Sequence, residues 1–191
     1  MELEFESERL RFRPLAAEDV DLSIAIWTDP EVVKYVAEGV YTEAEIIEEM
    51  PYVVNRAGGG CIGVWVIEEK ASGEKLGSVF LLPMPIDLDD TDWDLVQGEA
   101  IPDGPIEVGY VLIQSAWGKG YATEACRRIT RFAFEETPLQ EIWGVTDPEN
   151  EASKNVLRKC GYGHEPAVHA YQHVNPGFRA FRDTWLAAQD G

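Results

Sequence analysis

The sequence predicts an α+β fold built around one mixed sheet, and three observations carry that prediction. Arg9-Leu10-Arg11-Phe12-Arg13 alternates strictly, the period-2 signature of a half-buried strand. Residues 61–67, 76–82 and 106–113 are short apolar runs rich in β-branched and aromatic side chains, the composition that strands favour. After them the period changes: Ala122, Ala125, Cys126, Ile129, Phe132 and Ala133 recur at helical spacing.

Taken in order, the first strand is ended by Pro14. Val20, Ile24 and Trp27 then fall at i, i+4 and i+7, one helical face, until Asp29-Pro30 breaks it and a short second helix follows to about Tyr35. Thr42 with Glu45 three residues later is a capping box. The helix it opens carries Ile46, Ile47, Met50, Val53 and Val54 on one stripe, and Gly58-Gly59-Gly60 ends the run. Residues 61–67 and 76–82 read as an antiparallel hairpin turning at Ser72-Gly73. Residues 83–105 hold Asp87, Asp89, Asp90, Asp92, Asp94, Glu99 and Asp103 with no base, an acidic insertion too long for an ordinary hairpin connection.

Residues 106–113 form the next strand, and the helix after Gly118 is stopped by Thr137-Pro138. A short strand over 139–145 precedes Asp147-Pro148 and a helix from Asn150 to about Lys159, closed by Gly161. Two last strands, near 162–174 and 178–187, complete the order β-α-α-α-β-β-β-α-β-α-β-β. No internal repeat or interdomain linker breaks it, so residues 1–191 read as a single domain.

Composition narrows the function classes. At 45% hydrophobic and 10% aromatic the chain has material for a core. Sixteen Lys plus Arg against 35 Asp plus Glu leave −19, which excludes a general nucleic-acid binder and counts against an anionic membrane surface. An enzyme for a cationic substrate and an acidic, salt-adapted proteome both fit that charge. Cys61, Cys126 and Cys160 form no C-x-x-C pair and are odd in number, so they read as free thiols in a reducing compartment. The N-terminus carries acids where a signal peptide carries Lys or Arg. No stretch approaches the roughly 18 apolar residues of a span. A soluble, cytoplasmic protein is expected.

The most informative segment is Trp117-Gly118-Lys119-Gly120-Tyr121-Ala122-Thr123-Glu124-Ala125. A strand runs into a glycine turn that opens a helix. Glycines let consecutive N–H groups approach a ligand closely, and the helix N-terminus favours an anion there. Lys119 and the face formed by Arg127, Arg128 and Arg131 are basic in an acidic chain, a local reversal of sign that suits a polyanionic cofactor. The turn is neither a P-loop nor the longer dinucleotide fingerprint.

On these residues the sequence resembles the GNAT superfamily of acetyltransferases, whose acyl-CoA pyrophosphate loop is similar to Gly118-x-Gly120-x-Ala122. The longer string from Trp117 to Ala125 is similar to the RimJ/RimL-type branch, whose founding members acetylate ribosomal-protein N-termini. Glu8-Arg9-Leu10-Arg11-Phe12-Arg13-Pro14-Leu15 resembles that branch's opening strand, and the stretch from Asn150 to Tyr162 resembles its second cofactor motif. The 83–105 insertion is long for the family and falls outside the likeness.

The resemblance implies a mostly antiparallel GNAT sheet flanked by helices and an enzyme moving acetyl from acetyl-CoA directly to a primary amine. It implies pantetheine pairing near Leu112 and Ile113, and pyrophosphate binding by Trp117, Gly118, Lys119, Gly120, Tyr121 and Ala122, with Thr123 at the helix start. Asn150 and Ser153 are the second-motif positions expected near the cofactor; Asn150 equally suits an N-cap. A carboxylate removing the amine proton is the usual device, and Glu107 is the candidate, a solvent-facing strand residue being the other reading. The tyrosine that many members use for the thiolate reads here as Leu157, leaving Ser153, a water or Tyr110.

A protein N-terminal α-amine is the acceptor that the branch implies. A polyamine or aminoglycoside, which the acidic insertion would suit electrostatically, is the alternative, and a non-catalytic acyl-CoA-binding module is the rival class. His164, His169 and His173 lack zinc-site spacing, so no metal is expected. No nucleic-acid or membrane partner is expected; Trp93 is left to an acceptor pocket or a homodimer contact.

Overall fold

A computed structural model describes residues 1–189 of the protein. The strands are β1 (Phe5–Glu6), β2 (Leu10–Pro14), β3 (Gly63–Glu69), β4 (Lys75–Pro83), β5 (Ile106–Leu112), β6 (Glu141–Val145), β7 (Gly163–Ala170) and β8 (His173–Phe181). The helices are α1 (Val20–Trp27), α2 (Pro30–Val33), α3 (Glu43–Val53), α4 (Tyr121–Glu136), α5 (Glu151–Lys159) and α6 (Arg182–Gln189). The eight strands form one sheet in the order β1-β2-β3-β4-β5-β6-β8-β7. Neighbours are antiparallel except β5 and β6, which run parallel because α4 crosses between them.

The register sorts side chains onto two faces. Trp65, Val79 and Tyr110 stand opposite one another across β3, β4 and β5, and Trp65 meets Phe132 of α4 edge-on at 5.5 Å. This is the α4 face. Arg13, one residue out of step with Phe12, lies on the other face and holds Asp19 at the start of α1 through two bonds of 2.7 Å. Lys75 reaches the same carboxylate at 3.0 Å. Burial opposes the charge of Asp19, but Arg13, Lys75 and the Ala16 amide outweigh it and hold the carboxyl at about 2.

Several expectations hold. Thr42 and Glu45 exchange capping-box bonds, Thr42 Oγ1 accepting from the Glu45 amide at 3.3 Å and Glu45 Oε2 accepting from the Thr42 amide at 2.8 Å. α4 buries the apolar stripe read from its periodicity, from Ala125 to Ala133. The three cysteines are free and buried.

Others need correction. The expected strand over 178–187 is β8 only to Phe181; the chain then turns helical as α6. Trp185 there donates from Nε1 to the Cys160 carbonyl at 2.7 Å and packs beside Phe134. Phe178 and Ala180 alternate inward and made the whole stretch read as β. The expected strand over 162–174 divides into β7 and the start of β8 at Tyr171-Gln172. The short strand β1 was not expected. On α1 the buried residues are Leu22, Ser23 and Ile26, while Val20, Ile24 and Trp27 are half-buried. That helix is apolar around most of its surface, so periodicity did not choose the face. Ile47 of α3 faces outward.

The acidic segment after β4 is folded, not draped. Val96 is fully buried in the core, Ala100 accepts from the Gly58 amide at 3.0 Å, and Ile86 bridges to Ala170 at the tip of β7.

Candidate active site

The site begins where the sheet opens. β5 pairs with β4 along its whole length, but with β6 at one position, Glu107 opposite Trp143. The Ile113 amide donates to the Leu76 carbonyl at 3.0 Å, so by antiparallel alternation the odd residues of β5 bond to β4. Val108, Tyr110 and Leu112 therefore turn their amide groups toward the gap. The Leu112 carbonyl accepts from Trp117 Nε1 at 2.8 Å. Ile113, expected beside the pantetheine, has its amide bonded to Leu76 and its carbonyl to the Ala116 amide. The free edge centres on Tyr110 and the Leu112 amide.

Two glycines make the turn that follows. Gly118 and Gly120 hold φ of 72° and 82°, left-handed values that a side chain resists. A Cβ on Gly118 would meet nothing within 4 Å, so the turn faces open space. Gly120 is the N-cap of α4 and no side chain caps that helix, leaving amide donors directed outward. Lys119 and Trp117 are exposed there. These features fit a pyrophosphate: main-chain donors, a positive helix end and room.

Tyr121 turns its side chain inward, its hydroxyl donating to Glu69, so only its backbone faces the turn. Ala122 and Thr123 are half-buried in the first turn of α4. Arg127 and Arg128 do not line this mouth as their sequence suggested. Arg127 donates to the Lys159 carbonyl at 2.8 Å and Arg128 to that of Glu6 at 2.8 Å, while Arg131 lies 3.6 Å from Glu135.

Arg9 is the cation that the sequence did not single out. It donates from Nη1 to the Lys119 carbonyl at 2.9 Å, pairs with Glu124 at 2.7 Å, and stacks over Tyr121 at 4.6 Å. It pulls the turn's carbonyl inward, which leaves the amides outward. The sequence marked Arg9 only as part of the opening strand; its long-range partners are invisible in one dimension.

On the α4 face, Tyr110 spans the gap to α5. Its hydroxyl lies 3.1 Å from both the carbonyl and the Oγ of Ser153. Asn150 accepts from the Ser153 amide at 3.0 Å, so it does cap α5. Burial pushes the Tyr110 phenol well above its ordinary value, which keeps its proton in place. Leu157, at the motif's tyrosine position, is core: its Cδ2 would sit 2.8 Å from a Cβ on Gly144.

Glu107 occupies the opposite face, three residues back along β5. It is 3% exposed, not the solvent-facing residue that was one of its two readings. Tyr171 donates its hydroxyl to Glu107 Oε1. Burial drives the carboxyl up to about 8; the Tyr171 bond works downward and the nearby Asp90 charge works upward. Gly109, next along that face, leaves space for the Phe80 ring, whose Cζ would lie 2.0 Å from a Cβ there.

The elements around Glu107 are acidic. Glu38 bonds His173 at 2.8 Å and Asp87 bonds His169 at 2.7 Å. Asp89 and Asp90, with Glu45 and Glu49 of α3, lie close enough to Tyr41 to raise its phenol, behind burial as the larger cause. Tyr171 was missed as a site residue because a hairpin tip without glycine gives no turn signal, and Asp90 because it is one of seven acids in the 83–105 segment with nothing local to set it apart. Among the described residues no group of three or more His, Cys, Asp or Glu is placed to hold a metal ion, and no helix is long and apolar enough to cross a membrane.

Known proteins resemble this chain. The family model described as an acetyltransferase (GNAT) domain matches residues 9–163. An FsC-acetyl coenzyme A-N(2)-transacetylase of Aspergillus fumigatus is 32% identical over 191 residues, covering 95% of this chain and 77% of that one. A crystal structure of a GNAT-family acetyltransferase from Bacillus anthracis superposes with a TM-score of 0.71 at 20% identity, covering 94% of this chain and 99% of that one. The aminoglycoside acetyltransferase AAC(6')-Ib in complex with coenzyme A gives a TM-score of 0.74 at 16% identity, covering 94% and 99%. At these identities the two structures speak for the fold.

Proposed function

Since the chain belongs to the GNAT acetyltransferase family and is an acetyl-CoA-dependent N-acetyltransferase, we propose that its acceptor is a cationic primary amine deprotonated by Glu107. The observation that carries this reading is the placement of Glu107: a buried carboxyl at the one position where β5 still pairs with β6, with the Asp90 charge nearby. Acetyl-CoA supplies the thioester that the amine attacks. The gap edge at Tyr110 and Leu112 suits the pantetheine arm, and the turn from Trp117 to Ala122 suits the pyrophosphate, with Thr123 in the first turn behind it.

An acceptor arrives as an ammonium ion and must lose a proton. A carboxyl poised near 8 is matched to that task at neutral pH, because a base is most effective when its affinity for the proton lies close to the working pH. Tyr110 and Ser153, on the other face, form the proton-holding pair closest to the second cofactor motif. We assign the leaving thiolate's proton to that pair, which takes the place of the tyrosine missing at Leu157. The two proton-handling groups thus flank the opening from opposite faces of the sheet.

The acidic surroundings favour a polycation. Glu38 and Asp87 hold the two histidines that flank Tyr171, Asp90 lies close enough to Glu107 to raise its proton affinity, and one-signed clefts concentrate ligands of the other sign. A polyamine or aminoglycoside therefore gains over the protein N-terminus implied by the RimJ/RimL likeness. The relative named as an N(2)-transacetylase and the aminoglycoside complexes of AAC(6')-Ib are in keeping with amine acceptors. Thiol release from acetyl-CoA, measured with spermidine, kanamycin and peptides bearing free N-termini, tests the reading. Turnover is expected with the polycations first and should weaken as salt rises. Binding of acetyl-CoA without turnover of any amine would refute it and leave the acyl-CoA-binding module.

A further inference from the structure

We infer that Tyr171 is a positioning residue for the base, holding Glu107 through its hydroxyl from the tip of the β7–β8 hairpin and so setting the pH range in which Glu107 accepts a proton. This rests on the assignment of Glu107 as base and deepens it.

The tip is unusual for its sequence. Ala170 pairs with His173, so Tyr171 and Gln172 alone make the turn, with φ of 56° at each. Two-residue hairpin turns with both φ positive normally carry Asn-Gly or Asp-Gly, and a side chain in that region is strained. Such strain persists only where surroundings over-determine it, and here they do. The Tyr171 amide donates to the Pro85 carbonyl at 3.3 Å and the Gln172 amide to that of Leu88 at 3.0 Å. Asn175 Nδ2 holds the Ala170 carbonyl at 2.9 Å. On either side, His169 bonds Asp87 and His173 bonds Glu38.

The acidic segment therefore acts as a brace, and what the brace delivers is one phenol to one buried carboxylate. A glycine at the tip would make the turn more easily but would carry no hydroxyl. The groups facing Glu107 are few: Tyr171 from the hairpin tip and Asp90 from the acidic segment, with opposite effects on its charge. Tyr171 keeps its own proton, because burial and the same two acids push its phenol well above its ordinary value. It thus donates throughout the working range. With Oε1 held by Tyr171, the second carboxylate oxygen is the one left to accept from an ammonium group.

The test reads Glu107 directly and needs no acceptor. The 13C carboxyl resonance of Glu107 is followed against pH in the wild type, Tyr171→Phe and Asp90→Asn. Losing a hydrogen bond to a charged group should raise the Tyr171→Phe midpoint by about one pH unit, roughly tenfold less carboxylate at neutral pH, and Asp90→Asn should lower it. The rising limb of kcat/KM against pH should move by the same amount in Tyr171→Phe, with KM for acetyl-CoA unchanged. A Tyr171→Phe protein with an unmoved midpoint, beside a slow Glu107→Gln, overturns the proposal alone. Full turnover by Glu107→Gln overturns the base assignment and the proposal with it. Should Tyr171→Phe fail to fold, the wild-type Tyr171 13Cζ resonance must track the Glu107 titration and lose that step in Glu107→Gln; a flat response is equally fatal.

Discussion

Replacing Glu107 by Gln should slow the enzyme and stabilise the protein, the two effects arising from one buried charge. Folding raises this carboxyl from 4.5 to about 8. A carboxyl raised by folding contributes fully below its unfolded value, and that contribution is lost as pH rises toward the folded one. At 1.36 kcal/mol per pH unit the interval corresponds to about 5 kcal/mol, an upper bound because buried sites relax and admit water. Glutamine keeps the shape and can accept the Tyr171 hydroxyl through its amide oxygen, but it never ionises. Urea titrations at about pH 5 and about pH 9 should therefore show the variant's advantage over the wild type growing by roughly 2–5 kcal/mol between the two conditions. Over the same range its turnover should fall by roughly 100-fold or more, the usual scale of a lost general base. Parallel stability curves would show that Glu107 is not desolvated as the geometry requires, and unaltered turnover would show that its proton is not the one that matters.

Two further changes probe the cofactor turn and the opposite end of the sheet. Gly120→Val places a β-branched residue at φ of 82° and a Cβ 3.5 Å from Arg9 Nη2, so acetyl-CoA affinity measured by calorimetry should fall at least about tenfold, a loss of roughly 1.4 kcal/mol; normal affinity would remove the turn from the pyrophosphate site. Asp19→Ala strips the partner shared by Arg13 and Lys75. It should cost about 2 kcal/mol at neutral pH, a deficit that shrinks as acid protonates the wild-type carboxyl toward about pH 2; a deficit constant with pH would mean that the charge is not what Asp19 contributes.

Much of the fold was legible because the relevant forces act locally. The alternation at Arg9–Arg13, the Thr42–Glu45 cap, the stripe on α4 and the Asn150 cap each involve residues within one or two turns, and each reappears in the structure. The errors fell where local signals conflict with distant packing. Phe178 and Ala180 alternate like a strand, yet Trp185 finds Phe134 and the Cys160 carbonyl, and the chain becomes α6. Tyr171-Gln172 has no turn chemistry of its own; Pro85 and Leu88, more than 80 residues earlier, hold it.

The sequence by itself determined an α+β chain with a glycine turn opening a helix, since glycine alone enters the left-handed region without the strain that a side chain meets there, and an exposed helix end favours an anion whatever surrounds it. It also determined that Glu107 lay on the strand entering that turn. Whether Glu107 met solvent or core was decided only in three dimensions, by β6 leaving β5 after one pairing and by a hairpin tip closing over the carboxyl. The −19 charge likewise acquired meaning only through position. Acids that looked like a general surface bias include Asp87, which braces that tip through His169, and Asp90, which raises the proton affinity beneath it. Local rules set which residues can make a turn or a cap, but desolvation and the pairing of distant charges depend on which parts of the chain meet.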